Sequence, residues 1–400
     1  MSKFTRRNLV GGIAAAGLAT YPGSLGAYAS SATFGRQSGA DNGPRKPNIT
    51  VGLDIHLGPE ADVAYSDSLM MFARQLDVRW VATPLRATQG MPINAALTIP
   101  ISKVGSGAVN GTLGGGLGGP SGPWTENEVR NVIERGESRG LRIGVLQLHS
   151  IPNVILGNPE RDRDIEHVEQ SIRIAGRFGV PVIQYSFIAM PPVGGLYTVA
   201  GRGGSTYRAF DSTRLSDEAP LPALGTASDQ EMWDRLKYFL AAVVPVAEQS
   251  NVRLALHPND PPVAMYRGVA QPFDTLEHWK RVVNYLPNRA NGIVLDTGVT
   301  TEIGANVVET IRYFGSKNCI NHVHFRNVRV ERPVSKYTEA FIDEGDTDML
   351  AGMRALQDVG YSGMLVPDHS PVIAGDTNQF GAWGYALGFI KALLQTSQRS

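Results

Sequence analysis

Four stretches in the C-terminal part of the chain decide the fold: Val252-Arg253-Leu254-Ala255-Leu256-His257, Asn291-Gly292-Ile293-Val294-Leu295-Asp296, Asn321-His322-Val323-His324 and Met364-Leu365-Val366-Pro367-Asp368-His369. Each is a short apolar run ending in an imidazole or a carboxylate, and each is followed by loop residues and a helical pattern. Continuous Val/Ile/Leu runs that alternate with helices indicate parallel strands buried on both faces. Successive parallel strands have neighbouring carboxyl ends, so His257, Asp296, His324 and Asp368 are expected to converge. Two nitrogen and two oxygen donors suit a divalent cation, Mn²⁺ first, with Mg²⁺ or Fe²⁺ as alternatives.

The same rhythm extends upstream. Strands are expected at 49–55, 79–84, 142–148, 180–187, 252–258, 291–297, 320–328 and 363–369. Helices are expected near 66–76, 125–139, 161–178, 228–249, 273–285, 303–314, 347–359 and 382–395. Strict alternation of eight and eight points to one (β/α)₈ TIM barrel over 48–400, with an open doubly wound sheet as the alternative. Thr125 before Glu126 and Glu128 predicts a helix N-cap, as does Asp346 before Asp348, and Gly360 ends the helix that follows. Capping and solvation account for the acidic group Asp343, Glu344, Asp346 and Asp348. Two long loops, 105–123 and 189–226, follow strands on the face where barrel active sites lie, which suits lids. Within the first, Gly114–Gly119 matches a dinucleotide fingerprint only by letter, because no βαβ unit surrounds it.

Composition narrows the partners. The 400 residues are 42% hydrophobic with a formal net charge of zero, which gives no reason to expect nucleic acid or an anionic surface. Cys319 is the single cysteine, so no intrachain disulfide can form. Lys3, Arg6 and Arg7 precede an apolar run from Leu9 to Leu18, and Ala27-Tyr28-Ala29 offers small residues for cleavage. That pattern predicts a twin-arginine export signal over 1–29, a disordered lead-in over 30–47 and a periplasmic location. The apolar run is too short for a permanent membrane span. Its removal would take away only three charges, all basic, leaving a slightly acidic protein.

Residue spacing assigns provisional roles. His322, His324 and Arg326 share one strand face by the period of two. His324 lies nearer the strand end, His322 is expected one layer deeper, and Arg326 could grip a substrate carboxylate across the mouth. Asp368 and His369 point apart on an extended chain, so His369 is read as a general acid or base beside the cation rather than as its ligand.

Several uncommon words then resemble one family. His257-Pro258-Asn259-Asp260-Pro261-Pro262, Val323-His324-Phe325-Arg326-Asn327-Val328, the run Phe341–Met349 (F-x-DEG-x-x-DM) and Pro367-Asp368-His369 are similar to segments of mannonate dehydratases, as is Ile155–Asp162. The resemblance is collinear from about residue 140 to 395. It implies a xylose-isomerase-like barrel, a Mn²⁺-type cation, His369 as a catalytic group, and dehydration of D-mannonate to 2-dehydro-3-deoxy-D-gluconate. It also brings in Arg202 of Arg202-Gly203-Gly204 and Asn259 as substrate-binding residues. Tyr385 stands for the family's catalytic tyrosine, while another alignment puts Phe380 or Trp383 there. Where the family commonly has a metal-binding cysteine this chain has Asp296, and Asn259 replaces a carboxylate. The expected partner is a small sugar acid, with homo-oligomerisation left open. A sugar isomerase or epimerase, and a non-catalytic exported sugar-acid-binding protein, are the competing functions.

Overall fold

The computed structural model describes residues 48–58, 63–86, 122–148, 151–215, 219–220, 222, 224–376 and 378–399. The expected export signal, the lead-in and residues 105–121 of the first glycine-rich loop lie outside them. The chain begins with β1 (Thr50–Asp54), α1 (Val63–Gln75), β2 (Trp80–Pro84), α2 (Glu126–Glu137) and β3 (Arg142–Gln147). Then come α3 (Pro152–Leu156), α4 (Arg161–Arg177) and β4 (Val182–Ser186). A hairpin of β5 (Leu196–Ala200) and β6 (Thr206–Asp211) precedes α5 (Asp229–Gln249) and β7 (Arg253–His257). The short pair β8 (Met265–Tyr266) and β9 (Val269–Ala270) leads to α6 (Leu276–Tyr285), β10 (Asn291–Asp296), α7 (Thr297–Glu302) and α8 (Val307–Ser316). The chain continues through β11 (Ile320–His324), a second hairpin of β12 (Asn327–Arg332) and β13 (Lys336–Ala340), α9 (Met349–Asp358), β14 (Met364–Val366) and α10 (Phe380–Arg399).

Eight of these strands close into a barrel in the order β1-β14-β11-β10-β7-β4-β3-β2. Every neighbouring pair is parallel. The TIM barrel expected from the alternation is therefore what forms, and the open sheet is not. Apolar side chains alternate between two destinations. One set packs between strands and helices, as Leu53, Ile183, Leu256, Leu295 and Leu365 do. The other fills the barrel interior with Ala82, Val145, Val182, Ala255, Val294, Met364 and Val366. Met364 lies so close to β1 that a Cβ on Gly52 would come within 2.5 Å of its sulfur, which is why glycine interrupts that strand.

Capping follows the side-chain chemistry. Thr125 and Ser228 close reciprocal capping boxes with Glu128 and Glu231 at the starts of α2 and α5. At α9 the cap is Asp348, not Asp346 as the sequence suggested. Asp346 instead accepts the Val330 backbone N–H at 2.8 Å, tying the acidic loop to β12. Gly360 follows α9 with φ of 76°, the left-handed conformation glycine adopts freely.

Two departures from the sequence reading shape the mouth. The run 320–328 is not one strand: β11 leaves the barrel at His324, and β12 starts three residues later in another sheet. The two hairpins then join as an antiparallel sheet of order β12-β13-β6-β5. The second long loop thus contains half of an ordered sheet. Among the described residues no helix is long and apolar enough to cross a membrane.

The segment after β7 is held by a chain of contacts. Asn259 Oδ1 accepts the Phe273 N–H at 2.8 Å, and Trp279 Nε1 donates to the Phe273 carbonyl at 3.1 Å. Trp279 is fully buried and stacks on Phe273 with ring centroids 5.6 Å apart. Trp279→Ala should lower unfolding free energy by about 3–5 kcal/mol. An unchanged denaturation midpoint would contradict this packing.

Candidate metal centre and active site

Strand ends bring the expected ligands together. His257, Asp296 and His324 close β7, β10 and β11, with Asp296 directly opposite His324 in the ladder. His257 Nε2 lies 3.2 Å from His324 Nδ1 and 4.0 Å from Asp296 Oδ2. His324 Nδ1 lies 3.6 Å from Asp296 Oδ2 and 3.5 Å from Asp368 Oδ2. The remaining ring nitrogens define the tautomers. His257 Nδ1 donates to the Pro258 carbonyl at 2.7 Å, and His324 Nε2 donates to Gln184 Oε1 at 3.3 Å. Once both rings are neutral, as holding a cation requires, the lone pairs of His257 Nε2 and His324 Nδ1 face the same point. Asp296 also caps α7 by accepting the Val299 N–H with Oδ1, leaving Oδ2 for the centre.

Asp54, at the end of β1, joins His324 and Asp368 in an adjoining cluster. Burial pushes its carboxyl up to about 6, and its Oδ1 has no hydrogen-bond partner. The rule that nominated the other four candidate ligands, an apolar strand ending in a donor, also fits Val51-Gly52-Leu53-Asp54, yet that reading passed over it.

Arg326 occupies the floor of the mouth with its side chain 1% exposed. Nε lies 3.1 Å from both Asp296 Oδ2 and Asp368 Oδ2, Nη1 donates to Glu302 at 2.8 Å, and Nη2 donates to Asp260 at 2.9 Å. A Cβ on Gly298 would stand 2.4 Å from Nη1, so only glycine fits beside the guanidinium. The expected grip on a substrate carboxylate is therefore not what this residue makes: its nitrogens already bond protein carboxylates below the opening. Burial, only partly offset by Arg326, holds the Glu302 carboxyl well above its usual range.

His369 enters through a bend. Asp368 has φ of 52°, an uncommon conformation for a non-glycine residue. The two adjacent side chains consequently face the same opening, with Asp368 Oδ2 3.7 Å from His369 Nδ1. Two residues of the hairpin sheet meet the imidazole there. Glu339 Oε1 lies 3.2 Å from His369 Nδ1, and Arg208 Nη2 contacts the ring and bonds Glu339. Burial and Arg208 oppose protonation of His369, but Asp368 and Glu339 prevail and raise its pKa. His322, one layer deeper as expected, donates Nδ1–H to the Met364 carbonyl at 3.0 Å, and burial keeps it neutral.

Three other expected site residues lie elsewhere. Asn259 is buried in the anchor described above, bonded to Phe273 in place of the site. Arg202 pairs bidentately with Asp343 at 2.8 and 3.2 Å and stacks over Phe341. Tyr385 is 42% exposed on α10, its ring packed edge-on to Phe341 and its hydroxyl engaging Asp343 and Arg202 rather than His369. Arg202, Asp343 and Tyr385 form a clasp at the rim. Of the alternatives, Phe380 stacks on Phe72 and Trp383 is buried. Asp260, Glu302, Arg208 and Glu339 were missed by sequence reading. Only Asp260, inside a quoted motif, carried any signal.

The donor set fits a divalent cation. Asp260, Asp296, Glu302, Glu339 and Asp368 crowd around two guanidiniums, Arg208 and Arg326, and Asp54 adds a sixth carboxyl beside His324 and Asp368. Asp368 Oδ2, buried among them, has ion-pair contacts with Arg326 Nε and His324 Nδ1 but no well-aligned hydrogen bond. Such an excess of buried carboxylate is costly unless positive charge is added.

Comparison with known proteins bears on the family and the fold. The model of the D-mannonate dehydratase (UxuA) family matches residues 94–223 and 221–396. Mannonate dehydratase 2 of Halalkalibacterium halodurans is 28% identical over 302 residues, 67% of this chain and 85% of that protein. The mannonate dehydratase of Thermotoga maritima is 29% identical over 306 residues, 66% of this chain and 83% of that protein. The crystal structure of mannonate dehydratase from Streptococcus suis serotype 2 shares the fold with a TM-score of 0.70 at 24% identity, covering 88% of this chain and 94% of that one. A xylose isomerase domain protein from Planctomyces limnophilus shares it at 0.51 and 14% identity, covering 89% of this chain and 100% of that one.

Two outcomes are expected. Without a cation, burial disfavours charge on His324, but Asp368 and Asp296 outweigh it and raise the imidazole to about 10. Binding a cation at Nδ1 must then displace a proton. Mn²⁺ affinity should rise with pH, about tenfold per unit below that value, and equilibrium titrations showing no pH dependence would refute the coupling. Arg326→Met strands buried carboxylates and should destabilise the fold by about 3–5 kcal/mol, read from denaturant unfolding.

Proposed function

Because the chain belongs to the D-mannonate dehydratase (UxuA) family, a family of hydro-lyases, we propose that it dehydrates D-mannonate to 2-dehydro-3-deoxy-D-gluconate and water at the strand-end cluster. The observation that supports this reading is the cluster of His257, Asp296 and His324, with Asp368 3.5 Å from His324 and 3.7 Å from His369.

The reaction breaks the C2–H and C3–O bonds of the substrate and gives an enol that becomes the 2-keto acid. The C2 proton is weakly acidic, and the departing 3-hydroxyl needs a proton. His257 Nε2, His324 Nδ1 and one carboxylate oxygen each from Asp296 and Asp368 would hold a divalent cation, Mn²⁺ being our choice for this mixed set. A cation held by them would supply electrostatic stabilisation for the negative charge that develops on the substrate. Glu339 engages Nδ1 of His369, which makes Nε2, 3.3 Å from Arg208 Nη2, the nitrogen that exchanges a proton with the substrate. The hairpin sheet supplies both of those residues, so it orients the acid/base group as well as covering it.

The direct test is incubation of Mn²⁺-loaded protein with D-mannonate and detection of a 2-keto-3-deoxy acid. Absence of product from D-mannonate and from a panel of other aldonates would overturn the proposal. His324→Ala should lose the cation, measured by metal content after dialysis. His369→Asn should keep the cation while turnover falls about 10²- to 10⁴-fold; retained turnover would reject the acid/base role.

A further inference from the structure

A sugar acid carries a carboxylate that the protein must orient, and the residue first expected to do so, Arg326, is closed off. Three arginines stand at or below the mouth. Arg326 is bonded through Nε, Nη1 and Nη2 to protein carboxylates and is 1% exposed. Arg202 is committed bidentately to Asp343 at the rim. Arg208 differs from both. It projects from β6 toward His369 and remains 21% exposed, and each of its recorded polar contacts passes through Nη2. Its Nε–H is buried and has no hydrogen-bond partner. Asp260, the second carboxylate within reach, lies 3.6 Å from Arg208 Nη2 but is bonded to Arg326 at 2.9 Å.

We propose that Arg208 is the residue that receives the substrate's carboxylate and sets the preference for acids over neutral sugars. The assignment rests on the aldonate-dehydratase reading above. An unpartnered buried donor next to the imidazole is where an anionic oxygen gains most, because a charge-assisted hydrogen bond there replaces an unmet one. Arg208 also touches His369 directly, so a carboxylate held by it puts the adjacent C2–H beside the acid/base ring. Its delivery by the hairpin sheet makes acid recognition a property of that sheet rather than of the barrel.

The test compares binding of D-mannonate and its neutral carboxamide, D-mannonamide, to Mn²⁺-loaded wild-type, R208Q and R208K proteins by calorimetry, with turnover of D-mannonate in parallel. R208Q should bind D-mannonate about 10- to 100-fold more weakly and D-mannonamide with wild-type affinity, and R208K should fall between. Unchanged D-mannonate affinity in R208Q would overturn the assignment, and so would equal loss of both ligands, which marks a merely structural role. If wild-type protein neither binds nor converts D-mannonate, the functional reading fails together with this inference. If wild type converts it and R208Q binds it equally well, only the inference fails.

Discussion

The mouth of this barrel is constrained by charge. Six carboxylates are drawn into a small buried volume, and the guanidinium of Arg326 is the hub that lets most of them coexist. A buried ion cluster of this kind is poor evidence for stability, since desolvation offsets much of the attraction. Its value lies in fixing positions. Asp296 is held by Arg326 and by the first turn of α7, Asp260 by Arg326 and the Tyr337 hydroxyl, and Asp368 by Arg326 and His324. Side chains bound at several points cannot swing away, which is what a preorganised polar site requires.

Backbone geometry supports the same arrangement. The left-handed residue Asp368 turns two consecutive polar side chains into one opening, where an extended strand would have separated them. The short helix α7 begins immediately at the end of β10, so one carboxylate serves both as helix cap and as ligand candidate. Gly298 leaves the space that Arg326 fills. Local choices in sequence and the demands of the site agree at each of these positions.

Much of this was legible in the sequence because strand and helix periods are strong signals. The eight strands, the closed barrel and the four convergent donors all follow from apolar runs that stop at His or Asp. What escaped had physical reasons. Period-two reasoning put Arg326 on the face of His324, but β11 ends there, and the next residues belong to a crossover into another sheet. It therefore predicted a side-chain direction for a strand that no longer exists. Arg208 and Glu339 lie in segments with no ligand-like ending, and their role comes only from pairing between β6 and β13. Resemblance nominated Tyr385, Arg202 and Asn259, yet a matching letter carries no information about which way its side chain is turned.

The hairpin sheet has a consequence for how the molecule comes together. Its halves leave the barrel after β4 and after β11, so β6 and its partner β13 are separated by more than a hundred residues of chain. Pairing over such a span carries a large loop-closure entropy until the intervening strands have brought the ends close. Closing that loop costs least once the cylinder stands, so the two residues that steady His369 depend on the scaffold being built beneath them. A helical signal therefore reports the cylinder and not the cover, and by itself says nothing about whether the acid/base group is in place.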